Sequence, residues 1–390
     1  MPWHEVDTMS LRYEFVTLAM QEGANIRRLC RGFSVSPKTG YRWLGRYAMQ
    51  GAAGLADRSR RPVHTPTKTA PGMESAALKV RDAHPAWGGR KIRAVLVRQG
   101  YSAVPSASTI TEILRRHGRL VPEECDKHRP WQRFEAPCPN ALWQMDFKGH
   151  LALTAGGRCH PLTVLDDHSR FALAIRACPN ERTETVKQAL IPVFEQYGLP
   201  KRMLVDNGSP WGCDWEHIYT PVTVWWLHLG IGVSHGRPYH PQTQGKDERF
   251  HRTLADEVVR GHIFTDLDHC QYLFDCWRAV YNLERPHEAL GDAVPGSRYQ
   301  SSPRPYPHEL PPIEYGPHDA VRKVQALGWV HYQGYVLRLP DAFRGYTVAI
   351  RHTTTDGILD IQFCRHHIAQ VDLRDAVPGS VCVTYVPEHP

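Results

Sequence analysis

Long apolar runs are missing from this chain. Nothing in its 390 residues approaches the about 18 consecutive apolar positions that a membrane-crossing helix needs. The start, Met1-Pro2-Trp3-His4-Glu5, lacks the basic-then-apolar pattern of a secretory signal. Cysteine occurs ten times but never as a Cys-x-x-Cys pair, and Cys364-Arg365-His366-His367 is the one tight Cys/His group. Four well-spaced ligands for a structural zinc are therefore not visible, and reduced thiols are expected. With 42% hydrophobic and 22% charged residues, the composition is that of a globular protein, expected in the cytoplasm and without a membrane partner.

A chain of this length exceeds one ordinary core, so two to four domains are expected. The net charge of +7 is unevenly spread. Residues 1–130 hold 22 Lys/Arg against 11 Asp/Glu, and the rest of the chain is slightly acidic. A basic third of this kind reads as an electrostatic footprint for nucleic acid.

Helical patterns fill that basic third. Leu11, Phe15, Leu18 and Ala19 recur at helical spacing, and Asn25 can cap a second helix carrying Ile26, Leu29 and Cys30 inward. Ser36-Pro37 supplies a cap and a first helical residue for a third helix, with Tyr41, Leu44 and Tyr47 as its inner stripe. Three short helices with a tight turn before the last make a helix-turn-helix, whose third helix enters a major groove; Lys38, Thr39, Arg42 and Arg46 are then the DNA-facing candidates. A basic linker follows, where Arg58, Arg60 and Arg61 can track phosphates. Helical spacing returns over 74–83 and 90–99, and Ser106 can cap a helix over Ile110, Ile113 and Leu114. This second helix-turn-helix carries Arg90, Lys91, Arg93, Arg115 and Arg116.

Three acids stand where acids are unexpected. Asp146 interrupts the strand-like Leu142-Trp143-Gln144-Met145-Asp146-Phe147, Asp206 ends the apolar Met203-Leu204-Val205 before Asn207-Gly208, and Glu248 lies near the start of a helix opened by Gln244-Gly245. If their carboxylates meet, like charges about 4 Å apart repel by roughly 4 kcal/mol per pair at an effective dielectric near 20. A cation must then hold them, and oxygen ligands suit Mg²⁺ or Mn²⁺; two such ions about 3.5–4 Å apart serve phosphoryl transfer. Asp247 competes with Glu248 for the third place. At about 100° per residue Asp247 aligns with Phe250, Leu254 and Val258, the stripe that faces a core, whereas Glu248 lies off it and is the better ligand.

These segments resemble the integrase-core DDE transposases, which include retroviral integrases and many bacterial insertion-sequence transposases. The matching motifs are Trp143-Gln144-Met145-Asp146-Phe147, Val205-Asp206-Asn207-Gly208, Pro241-x-x-Gln244-Gly245-x-x-Glu248 and Tyr281-Asn282-x-x-Arg285-Pro286-His287-Glu288-Ala289-Leu290. The acids are separated by 60 and 42 positions; the second interval is longer than the family usually shows, and residues 211–221 form the expected extra loop. The resemblance implies that Asp146, Asp206 and Glu248 are catalytic and bind two Mg²⁺ (or Mn²⁺) ions, with Gln244, Lys246 and Arg249 beside them on DNA. It also implies an RNase-H-like fold for the strands and helices read between 142 and 282, and a transposase that binds terminal inverted repeats, cleaves the ends and joins their 3′-OH groups to target DNA. A homodimer or higher oligomer on DNA, associated with the nucleoid, would follow.

The expected fold is therefore multidomain: N-terminal all-α helix-turn-helix units at 1–53 and 73–121, a basic linker at 54–72 and another linker at 122–139. A central α/β RNase-H-like core at 140–294, a Pro-rich linker at 295–317 and a C-terminal small β domain, barrel-like, at 318–390 complete it. Asp166 and Asp167 read as a hairpin turn, Trp225 and Trp226 as core, and Asp214, Glu216 and His217 as a rival metal cluster. Two rival functions use the same residues: a catalytically inactive DNA-binding regulator, and a metal-dependent nuclease without strand transfer.

Overall fold

The computed structural model describes residues 8–57, 69–120, 135–212, 218–236, 245–374 and 379. The chain divides into two compact units, residues 1–68 and 69–390. In the first, α1 (Thr8–Ala19), α2 (Ile26–Gly32) and α3 (Pro37–Gln50) enclose Phe15, Val16, Cys30, Trp43 and Leu55. The caps are local and form as the sequence implies: Asn25 accepts from the Arg28 amide, and Ser36 from the Thr39 amide ahead of Pro37. The inner stripe of α3 is Gly40, Trp43, Leu44 and Tyr47, so Tyr41 is corrected to an exposed position. Gly40 sets this register, because a Cβ there would stand 2.5 Å from Cys30 Sγ and 2.8 Å from Phe15 Cζ. The bare glycine lets α3 close on its neighbours and turns Trp43 inward, where Arg12 and Arg46 lie over its ring at 4.2 and 4.6 Å.

The second unit begins with α4 (Pro71–Ala83), α5 (Gly89–Arg98) and α6 (Ala107–Arg116), packed around Trp87, Ile92, Leu96, Ile110 and Leu114. Ser106 caps α6 as expected. Next comes the core sheet of β1 (Trp143–Phe147), β2 (Leu151–Ala152), β3 (Arg158–Asp166), β4 (Ala172–Cys178), β5 (Arg202–Val205) and β6 (Gly232–His235). Its path is β2-β3-β1-β5-β6, with β4 also on β3. Antiparallel β1, β3 and β4 pass into parallel β1, β5 and β6, which places β1 centrally. On one face α7 (Thr183–Tyr197) and α8 (Pro221–His228) bury Trp143, Met145, Phe194, Trp225 and Trp226. On the other, α9 (Gly245–Leu254), a wider π-type turn (Ala255–Val259) and α10 (Leu267–Leu283) bury Ile175, Phe250, Leu254, Phe274 and Trp277. The two-residue period of a strand then turns Asp146 and Gln144 away from the Trp143/Met145 face and toward α9.

After α10 come β7 (Ala320–Lys323), β8 (Trp329–Tyr332), β9 (Tyr335–Arg338), β10 (Thr347–His352), β11 (Ile358–Phe363) and β12 (His366–Asp372). The antiparallel sheet runs β12-β11-β10-β7, and β8-β9 is a separate hairpin. Among the described residues this ladder does not close into a barrel. Its apolar face shares a core with Val224 and Leu227 of α8, so this small β domain is built onto the central one.

Residues 295–317, expected as a linker, are a strap. The Arg304 guanidinium donates to the carbonyls of Pro200, Leu229 and Gly230 at 2.6–2.9 Å. Ser302 N bonds Tyr197 O, Leu199 N bonds Arg304 O, and Tyr299 stacks on Phe171 at 4.3 Å. The prolines restrict the unfolded chain, and the carbonyls at the ends of α7 and α8 need donors; the strap supplies them. Arg304→Ala is expected to lower stability of the full chain by about 2–3 kcal/mol, since its charge-assisted bonds to the Pro200 and Leu229 carbonyls are lost, while Gly230 O keeps Arg365. The urea midpoint of unfolding checks it.

Candidate active site

Asp146 lies on central β1, opposite Thr163 of β3, with its side chain 28% exposed. Burial pushes its carboxyl up to about 7, and the charge of Asp206 pushes the same way, followed by Glu181 and Glu248; a hydrogen bond involving the Phe147 backbone opposes them. Asp206 follows β5, the parallel neighbour of β1, and its Oδ1 accepts from the Gly208 amide at 3.1 Å. Its carbonyl is 3.1 Å from His235 Nδ1 of β6. Glu248 is exposed on α9, while Asp247 is 2% exposed, as the helical stripe required. The three acids thus come into one electrostatic neighbourhood from three distant segments. Among the described residues, no three His, Cys, Asp or Glu form a set poised to hold a metal ion.

The donor set nevertheless suits a hard divalent cation: carboxylate oxygens, with no thiol among them. Burial, then the charges of Asp146 and Asp167, drive the Asp247 carboxyl well above the usual carboxylate range, and its Oδ1 has no hydrogen-bond partner among the described residues. It is the charges of Asp206, Glu181 and Glu248 that surround Asp146 with negative potential.

Several residues here were missed by sequence reasoning. Asp166 and Asp167 do form the β3–β4 turn, but both are fully buried. Asp166 accepts from Asn140 N, Ser169 N and Ser169 Oγ. Asp167 accepts from Gln144 Nε2 and Ala136 N, both at 2.6 Å, and pairs with Lys246 and Arg170. Lys246 is corrected accordingly: its ammonium is turned inward to Asp167 and not outward to DNA. His251, one turn after Glu248, is 3.8 Å from Asp146 Oδ2 and 2.7 Å from the Thr163 hydroxyl, which also lies 3.0 Å from the Asp146 carbonyl. Burial holds this imidazole down to about 4, so it is neutral. Its only signal was its place on the same helix turn as Glu248.

The motif from Tyr281 to Leu290 closes the α9 side of the core. Asn282 makes paired hydrogen bonds with the backbone N and O of Ala172 on β4, standing in for a strand neighbour. Arg285 bonds Glu257 in the turn after α9 at 3.0 Å.

The expected DNA contacts separate into distinct groups. Lys38, Arg42 and Arg93 are exposed. Thr39 bonds Ser36, and Arg46 donates to the Ala56 carbonyl at 2.6 Å. Arg115 pairs with Glu112, and Arg116 with Glu74 at 2.7 Å. Arg90 pairs with Glu288, Lys91 lies 3.9 Å from Glu257, and Arg249 lies 3.5 Å from Glu288. Arg58, Arg60, Arg61 and Gln244 lie outside the described residues, as do Asp214, Glu216 and His217. The extra loop is anchored at its start by buried Trp211, stacked between Phe147 and Trp226.

Residues 136–241 and 229–295 each match a family model described as Integrase core domain. Residues 319–378 match the C-terminal domain of IS481 family transposases. The chain belongs to the insertion-sequence DDE transposases. Toward the N-terminus of the transposase, residues 11–62 match a Helix-turn-helix domain and 39–114 a Homeodomain-like domain. A protein of insertion element IS407 from Burkholderia multivorans is 27% identical over 253 residues, 63% of this chain and 87% of that protein. One of insertion element IS476 from Xanthomonas euvesicatoria is 25% identical over 247 residues, 62% of this chain and 69% of that protein. Among solved structures, the catalytic core domain of BIV integrase is 22% identical, with a TM-score of 0.32, covering 41% of this chain and 93% of that domain. The transposase therefore combines helix-turn-helix DNA-binding domains with a core of the polynucleotidyl transferase family, and its field of action is DNA transposition. Among its described residues no helix is long and apolar enough to cross a membrane.

The raised Asp146 carboxyl makes stability depend on pH. Its ordinary value of 3.8 becomes about 7 in the fold, so the folded chain binds the extra proton between those limits. The burden is absent below about pH 4, grows through that window and is complete above pH 7. Without divalent metal, Asp146→Asn is expected to unfold later than the parent at pH 8, by roughly 1–2 kcal/mol after allowing for solvent screening. The gap should close near pH 4, as read by thermal unfolding at the two pH values.

Proposed function

We propose that this transposase binds the terminal inverted repeats of its element, cleaves the ends by divalent-metal-dependent hydrolysis and joins the exposed 3′-OH groups to target DNA. The observation that carries this reading is that the charges of Asp206 and Glu248, from two other segments, both push up the carboxyl of Asp146. Asp146 and Asp206 would hold one Mg²⁺ or Mn²⁺, and Asp146 with Glu248 a second. When bound, such ions lower the pKa of an attacking oxygen and neutralise a leaving one.

In the first step a water oxygen attacks the phosphorus at the element end, the P–O3′ bond breaks, and the leaving oxygen takes a proton to become the 3′-OH. In the second, that 3′-OH attacks a target phosphodiester and displaces a 3′ oxygen there, so one bond forms as one breaks. No protein nucleophile takes part. The carboxylates of β1, β5 and α9 orient the reacting groups, and neutral His251 with Thr163 steadies the β1 backbone at Asp146. Exposed Lys38 and Arg42 on α3, and Arg93 on α5, are the cations available for phosphates. Cutting and joining two ends calls for a dimer or larger assembly on DNA.

Asp146→Asn is expected to reduce both end cleavage and joining by on the order of 10³-fold, the scale of losing a principal electrostatic stabiliser. Purified protein, Mg²⁺ and DNA carrying the element ends, with nicked and joined products counted separately, give the test. Equal joining by parent and variant rejects the mechanism. Cleavage without joining would favour a nuclease, and binding alone a regulator. Independently of activity, Mg²⁺ should raise the parent's thermal midpoint at pH 8 and leave that of Asp146→Asn nearly unchanged. Lys38→Ala and Arg42→Ala should each flatten the dependence of DNA affinity on salt by about one unit of slope, measured by titration at several salt concentrations.

A further inference from the structure

Three cations of α5, Arg90, Lys91 and Arg98, reach groups of the catalytic core, whereas Arg93 stays exposed without such a contact among those described. Arg90 pairs with Glu288, and the same carboxylate lies 3.5 Å from Arg249 of α9, the residue immediately after Glu248. Lys91 reaches to 3.9 Å from Glu257 in the turn that continues α9. Glu257 is itself held by Arg285 at 3.0 Å and by Trp277 Nε1 at 2.9 Å. Farther along α5, Arg98 donates to the Glu284 carbonyl at 2.9 Å, and Val280 of α10 packs against the apolar core of this helical module. The second helix-turn-helix is therefore attached to the helix bearing Glu248 at two acids, and Glu288 belongs to the Tyr281–Leu290 motif without touching the three candidate metal ligands.

We propose that Glu288 is a positioning residue: by bridging Arg90 of the second helix-turn-helix to Arg249 of α9, it sets the placement of Glu248 according to how that module is seated on DNA. The proposal rests on the assignment of Glu248 to the active site. Arg90, Glu288 and Arg249 are 61%, 52% and 59% exposed, so the bridge adds little to global stability. It bears instead on geometry, because a misplacement of about 1 Å in a reacting constellation can lower a rate 10²-fold. Glu288 is adjacent to half-buried His287, whose amide donates to the Ala293 carbonyl at 3.0 Å and whose imidazole is held down to about 3 by burial and then by the charges of Arg285, Arg170, Arg249 and Lys91. The backbone next to the bridge is tied by these turn hydrogen bonds, Gly291 N to Glu288 O at 3.1 Å among them, and the carboxylate has a firm base from which to hold two arginines.

The test uses the full chain, Mg²⁺ and end DNA, and measures saturating cleavage rate apart from DNA affinity. Glu288→Ala and Arg90→Ala are each expected to lower the saturating rate by about 10–100-fold while leaving affinity within about twofold. The double variant should be no slower than either single one, and Glu288→Asp should recover part of the rate. Unchanged thermal midpoints would show that all variants fold. If Arg90→Ala weakens DNA binding and flattens its salt dependence while Glu288→Ala cleaves normally, Arg90 is a DNA contact and the bridge is rejected. Glu248→Gln is run alongside. Normal cleavage by that variant overturns the active-site assignment itself, whereas an inactive Glu248→Gln beside a normal Glu288→Ala overturns only the bridge.

Discussion

Repulsion among carboxyl groups around β1 is the constraint that the core must satisfy. Two such charges about 4 Å apart cost roughly 4 kcal/mol at an effective dielectric near 20, and more as water is excluded. Asp167 escapes this through Lys246 and Arg170. Asp247 escapes by keeping its proton in a fully buried place. Asp146 shares that second remedy only up to about pH 7, and its basic neighbour His251 is neutral. The potential at Asp146 is thus set by Asp206 after β5, Glu181 ahead of α7 and Glu248 of α9 together, and a divalent cation is the natural relief.

The rest of the molecule serves to keep those segments in register. Parallel pairing puts β5, and with it Asp206, beside β1. Phe250, Leu254 and Val258 seat α9 on the sheet, leaving Glu248 at the surface and Asp247 beneath it. Asn282 and Arg285 then lock α10 and the turn after α9 to β4 and Glu257. The strap at 295–317 crosses the ends of α7 and α8, and the small β domain shares its core with α8. Within the second unit, the second helix-turn-helix and the catalytic core are connected by packing and charge, and not only by the chain.

What could be read beforehand was local. Caps at Asn25, Ser36 and Ser106 depend on residues three positions away, and all three form. The choice of Glu248 over Asp247 as the outward acid followed from helical period alone. The failures involve partners far along the chain. Tyr41 and Trp43 are both plausible inner residues until the close approach at Gly40 selects the register. Proline-rich 295–317 looked like a tether because its partners are carbonyls, which leave no trace in side-chain pattern. Lys246 looked like a phosphate ligand because its acid, Asp167, is 79 positions distant.

By itself, the sequence determined the kinds of elements, the order of the three acids and the basic helical modules ahead of them, since periodicity, capping and composition act over a few residues. Tertiary structure alone decided which charges cancel, which carboxyl keeps its proton and which arginines of α5 meet the core. Those outcomes depend on distance and exclusion of water, and neither is a function of separation along the chain.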